Sequence, residues 1–136
     1  MFEEITLLSE DEYLENKELI PSSRDGWWLR SPGHYKRLAK FVDGDDGLVR
    51  DYGGLIWRPF GVRPILKIRG HHDLIPGDKL KISEYTFTVL HGDLMLCDTC
   101  IGTSMFDYTS NNFKTSVIRK YLYNWAEENN ITFEKP

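Results

Sequence analysis

Two cysteines in 136 residues are too few for the disulfide framework of a small secreted domain. Long apolar runs are missing as well. No stretch approaches the roughly 20 residues that a membrane-spanning helix requires, and no membrane partner is expected. Positive charge is short: 17 Lys and Arg stand against 21 Asp and Glu, for a net charge of −4. The bases are scattered, with no basic face to collect phosphates, which argues against nucleic acid as a partner. The opening Met1-Phe2-Glu3-Glu4 lacks the basic region and apolar core of a signal peptide, so a soluble, cytoplasmic protein is expected. There is no internal repeat, no low-complexity segment and no phosphate-binding loop. No nucleophile stands beside a plausible base, so catalytic residues and cofactors are not expected.

What remains is globular. Hydrophobic residues make up 40% of the chain and aromatics 13%, enough for a core, and the length fits one domain over residues 1–136. The chain is organised around Gly26-Trp27-Trp28-Leu29-Arg30-Ser31-Pro32-Gly33. Its aromatics favour a strand, and Pro32-Gly33 ends it. Adjacent residues of a strand point to opposite faces, so Trp27 and Trp28 require cover on both sides and a central place. Upstream, Ile5-Thr6-Leu7-Leu8 reads as a strand. Ser9 with Glu12 forms a capping box that starts a helix at Glu10, running to about Lys17. Leu38 to Val42 and Leu48 to Arg50 flank the turn Asp43-Gly44-Asp45-Asp46-Gly47 as a hairpin. Gly61 to Ile68 reads as one strand, at an edge or with the Pro64 position turned outwards. Arg69 to Asp78 is linker-like. Strands follow at Leu80–Ile82, Tyr85–Leu90 and Leu94–Cys97, then a loop from Cys100 to Lys114. The last element is a helix whose apolar stripe is Ile118, Tyr121, Leu122 and Trp125.

Three motifs bear on chemistry. Cys97-Asp98-Thr99-Cys100 has the spacing of a redox pair or half a zinc site. It follows a strand and precedes a polar loop, where no helix start lowers a thiol pKa. The histidines available to complete a zinc site, His34, His71, His72 and His91, are not at finger spacing, so two ordinary thiols are expected and zinc is the alternative. The Asp43–Gly47 turn fails as a calcium loop, because Gly47 and Gly54 stand where an EF-hand needs oxygen ligands. The stretch Asp51 to Phe60 reads as an irregular loop. It combines Asp51, Tyr52, Trp57 and Arg58 with two glycines, the composition of a recognition surface. The alternative there is that Trp57 and Phe60 are core residues.

Leu7-Leu8-Ser9 with Glu12, Trp27 to Gly33, Phe41 to Gly47 and Gly61-Val62-Arg63-Pro64 together resemble a bacterial, phage-associated domain family of unknown function. Trp27, Trp28, Arg30 and Arg63 stand at its structural positions. That resemblance implies a C-type-lectin-like α+β fold, shared with formylglycine-generating enzymes and with the variable receptors of diversity-generating retroelements. The copper-binding cysteines of the former have no counterpart here. In the family, segments similar to Tyr85–Leu90, Leu94–Cys97 and Ser116–Asn124 come before Leu-Leu-Ser; here they come after Gly-Val-Arg-Pro. The implied arrangement is a circular permutation, with residues 5–68 as one half, 69–78 as linker and 79–136 as the other. Residues 79–90 would then pair beside residues 61–68 in one mainly antiparallel, twisted sheet flanked by two helices. The rival arrangement has residues 79–136 pairing with a partner chain. The functional expectation is a non-enzymatic binding module for a protein or glycan, of phage or mobile-element origin, monomeric or weakly self-associating. Its rival is a thiol- or zinc-dependent protein using Cys97 and Cys100.

Overall fold

The computed structural model describes residues 2–70 and 72–134. In chain order its elements are β1 (Phe2–Thr6), α1 (Glu10–Asn16), β2 (Trp27–Pro32), β3 (Leu38–Val42), β4 (Val49–Leu55), β5 (Phe60–Gly61), β6 (Ile65–Ile68), β7 (Lys79–Ile82), β8 (Tyr85–Leu90), β9 (Leu94–Cys97), β10 (Thr103–Ser104) and α2 (Val117–Glu128). The fold is α+β. Its strands divide into two sheets rather than the single expected one: β1-β6-β9-β8-β7, antiparallel throughout, and β10-β5-β2-β3-β4, mixed through a parallel β2–β5 contact. The division follows from alternation in β2. Trp28 joins a cluster with Phe87, Phe106, Ile118 and Leu122, while Trp27 and Leu29 join one with Ile65, Leu94 and Leu96. A strand with large apolar groups on both faces needs a layer on each side. The first sheet contributes to both layers, α1 adds Tyr13 on the Trp27 side and α2 adds Ile118 and Leu122 on the Trp28 side.

The helices start where local chemistry dictates. Ser9 accepts the Glu12 amide and the Glu12 carboxylate accepts the Ser9 amide, so α1 opens at Glu10 on a complete capping box. Ser116 accepts the Arg119 amide and caps α2, whose buried face carries Ile118, Leu122, Trp125 and Ala126.

Other expectations are corrected. Asp51 to Leu55 is not loop but the continuation of β4, paired as Ala39↔Gly54 and Leu38↔Leu55. Gly53, at φ +104, absorbs a register shift there. At Gly54 a Cβ would lie 2.8 Å from the Phe60 ring. The glycines let the strand pass rather than end it. Gly61 to Ile68 is two strands, β5 and β6, broken at Val62-Arg63-Pro64. Pro64, without an N–H, lies outside the ladders, and its carbonyl accepts the Cys97 amide. Residues 79–90 do not pair beside residues 61–68, because β9 lies between β8 and β6. Every residue of β9 is buried, whereas β7 alternates exposed and half-buried, so β9 takes the interior seat and β7 the edge. Phe2 bridges Phe133, and the Glu134 amide donates to the Phe2 carbonyl at 3.0 Å, which sets the two described ends side by side.

Candidate functional site

The β3–β4 hairpin has a different environment at each end. At its open end Leu38 faces Leu55, and the segment Gly33–Tyr35 lies along β4, the His34 amide donating to the Tyr52 carbonyl at 3.0 Å. Tyr52 is exposed and packs against His34 and Tyr35, with ring centroids 5.0 and 5.7 Å away. Beyond the strand, Trp57 is 47% exposed, so it is not a core residue; Phe60 is half-buried and stacks on Phe41. Arg58 is exposed, its guanidinium 6.0 Å over the Phe60 ring. The Ile56 carbonyl accepts the Phe106 and Asp107 amides, which brings the segment of Tyr108, 73% exposed, beside that of Trp57. Asp51 projects to solvent with Lys40 Nζ at 3.6 Å. Tyr52 therefore pairs with Tyr35, while Trp57 and Arg58 lie on a segment bonded to that of Tyr108. Tyr108 comes from the Cys100–Lys114 loop and Tyr35 from the segment between β2 and β3, and no periodicity marks either.

This surface is held from below. Asp107 accepts the Thr109 and Ser110 amides on one oxygen and the Val117 amide on the other, at 3.1–3.2 Å. Burial alone would raise its carboxyl, but the amides outweigh that and hold it below the usual carboxylate range. Asn111 donates to the Tyr35 and Leu38 carbonyls, tying the loop to β3.

At the turn end lies a cleft of about 450 Å³ between the segment Ile20–Arg24 and the Asp43–Gly47 turn, with Tyr13, Trp27 and Arg63 among its lining. The walls nearly touch: a Cβ on Gly44 would lie 2.0 Å from the Arg24 carbonyl oxygen. Arg63 is fully buried. Its Nε donates to the Cys97 carbonyl at 3.0 Å and Nη2 to the Asp98 carbonyl at 2.9 Å, and its guanidinium lies 4.7 Å over the Trp27 ring. Burial lowers its pKa, against partial compensation from Cys100, Cys97 and Asp98. Arg30, at the other end of β2, donates to the Leu7 carbonyl and the Glu12 carboxylate, which fixes α1 to the sheet. Burial would raise the Glu12 carboxyl, but Arg30 and the Ser9 amide hold it below its ordinary range.

Both cysteines are free. Cys97 is buried in the cluster of Phe87 and Trp28, and desolvation pushes its thiol up, away from thiolate chemistry. Cys100 packs on the opposite cluster, 3.6 Å from Ser23 Oγ. His72 meets Asp93 at 2.8 Å, His34 lies against Tyr52, and the His91 amide donates to Asn16; His71 falls outside the described residues. Among the described residues, no group of three or more His, Cys, Asp or Glu is placed to share a metal ion. No helix there is long and apolar enough to cross a membrane. No family model, curated protein or solved structure matches the sequence.

Proposed function

We propose that this protein is a non-enzymatic recognition module that binds a protein ligand through the surface formed by Tyr35, Tyr52, Trp57, Arg58 and Tyr108. The observation that carries the reading is the exposure of large aromatics, beside an arginine, on backbone fixed by strand pairing and by Asp107. Aromatics and arginine are the side chains that anchor protein interfaces, and rigid presentation lowers the entropy lost on binding. A glycan site would need free polar groups beside the rings. Here Asp51 faces Lys40, and the Asn111 amide group donates to two backbone carbonyls. A protein ligand is therefore the better fit. No comparable observation favours thiol or zinc chemistry at Cys97 and Cys100.

The same reading takes the fold as C-type-lectin-like and circularly permuted, in a module of phage or mobile-element origin. Support comes from the Trp27–Gly33 and Gly61–Pro64 motifs and from the adjacency of Phe2 and Phe133, since neighbouring ends make permutation cheap. The test screens purified protein in parallel against a displayed protein-fragment library and a glycan array. The double variant Tyr52→Ala, Arg58→Ala then serves as control. Fragment binding lost in the variant supports the reading. Hits on glycans alone replace the ligand class, and binding retained by the variant moves the site elsewhere.

A further inference from the structure

Arg63 poses a problem that the aromatic surface does not address. A guanidinium presents five N–H donors and stays charged in proteins. Here it is fully buried, yet its two bonds go to neutral carbonyls, those of Cys97 and Asp98. Among the described residues it has no ion pair, and Nη1 has no hydrogen-bond partner at all. Buried charges are ordinarily paired, because removing one from water is costly. The Nε edge of the fork is used, so the unsatisfied donor is on the remaining side of the group, and Arg63 lines the cleft under Ile20–Arg24.

We infer that this cleft is a binding site for a carboxylate monoanion, received by Arg63 Nη1 at its floor. The charges around it select the ligand. Lys17 and Arg24 line the cleft with Arg63, while Asp43, Asp45 and Asp46 line the facing wall. Asp43 and Asp46 are held by Arg50 at 3.0 and 2.6 Å. Three carboxylates oppose a dianion such as phosphate, and a single negative charge suits the balance better. The planar guanidinium matches a carboxylate in shape as well as sign. Nη1 is closed to water, so the ligand has to displace part of the lining. The segment Pro21–Asp25 has neither helix nor strand pairing and is the wall that would have to move. The carboxylate could belong to a small molecule or to the C-terminus of a peptide.

The test is NMR on the wild-type protein, following the Arg63 Nε–Hε resonance during titration at constant ionic strength. The probes are acetate, N-acetyl-glycylglycine, inorganic phosphate and sodium chloride. Saturable shifts with acetate and the capped peptide, absent with chloride, are expected at a Kd on the order of 1 mM. Saturation by the peptide alone assigns a polypeptide terminus as the source, and by acetate alone a small molecule. The Arg63→Met variant, if folded, is expected to bind about tenfold more weakly or not at all, as loss of a charged hydrogen bond implies. Should it not fold, Arg24→Ala, at the mouth, is expected to weaken carboxylate binding while leaving the Arg63 resonance in place. The inference is overturned if the carboxylates move the resonance no more than chloride does. Tighter binding of phosphate than of acetate would overturn the monoanion assignment.

Discussion

The two ends of the β3–β4 hairpin put their functional groups under opposite constraints. At the open end, Tyr35, Tyr52, Trp57 and Tyr108 project into water from a fixed backbone, and folding is not expected to depend on them. At the turn end, Arg63 is enclosed between Trp27 and the Cys97 and Asp98 carbonyls, so its chemistry and the fold rest on the same contacts. A surface can be altered without altering the scaffold, whereas a buried site cannot. The first kind tolerates change of ligand; the second ties any ligand to stability.

The sharpest break of this contrast is at β2, which supports both ends. Trp28→Ala and Trp27→Ala are each expected to cost about 3–5 kcal/mol in chemical denaturation, the range for deleting a buried aromatic. A variant melting with the wild type would show that the strand does not support both clusters. Next come two carboxylates held in the folded state, Glu12 where α1 is fixed to β2 by Arg30 and Asp107 beneath the aromatic surface. Both have folded pKa values below their ordinary 4.5 and 3.8. Their stabilisation is therefore full above those values and lost as pH falls through the lower folded ones. Glu12→Gln and Asp107→Asn are each expected to destabilise at neutral pH and to flatten the acid limb of the stability profile. An unchanged acid limb would mean that other carboxylates govern it. Ser9→Ala, which removes the helix cap, is expected to cost about 1 kcal/mol.

A rearranged connectivity tests whether chain order matters to either end. Joining Pro136 to Met1 by a short flexible linker and opening the backbone between Gly70 and Gly77 keeps every described ladder. Only loop-closure entropy changes, by about 0.6 kcal/mol per doubling of loop length. The product is expected to be monomeric in sedimentation and to melt within a few degrees of the original, and an unfolded or obligately dimeric product would refute the permuted reading. The smallest effect is at the surface. Tyr52→Ala with Arg58→Ala should stay within about 1 kcal/mol of wild type, and a larger loss would make that end structural too.

What the sequence revealed divides along the same line of locality. Capping at Ser9, the Ile118–Trp125 stripe and the tight turn at Asp43–Gly47 are short-range signals, and each element lies close to where its residues placed it. The strand order of the first sheet depends on β9 sitting between β6 and β8, a contest among strands distant in sequence that no local window records. Gly53 and Gly54 were misleading because glycine ends strands by its freedom but also permits close passage, and only the Phe60 ring distinguishes the two. Tyr52, Trp57 and Arg58 stood out by composition. The burial of Arg63 did not, because arginine is ordinarily exposed and its partners lie 34 and 35 positions away.

Distance along the sequence also means delay. The Trp28 indole N–H donates to the Ser104 carbonyl, 76 positions later, and β10, which borders β5 in that sheet, ends at the same residue. At a synthesis rate of roughly 5–20 residues per second, the tryptophans wait on the order of ten seconds for that partner. During that interval Phe41 and Phe60 have emerged to pack on Trp28, but Phe106 and the α2 residues of its cluster have not. The nascent polypeptide thus carries Trp28 only partly covered until Phe106 and α2 have been made. Ribosome-bound chains stopped before Thr103 are the form of this protein that chaperones would engage.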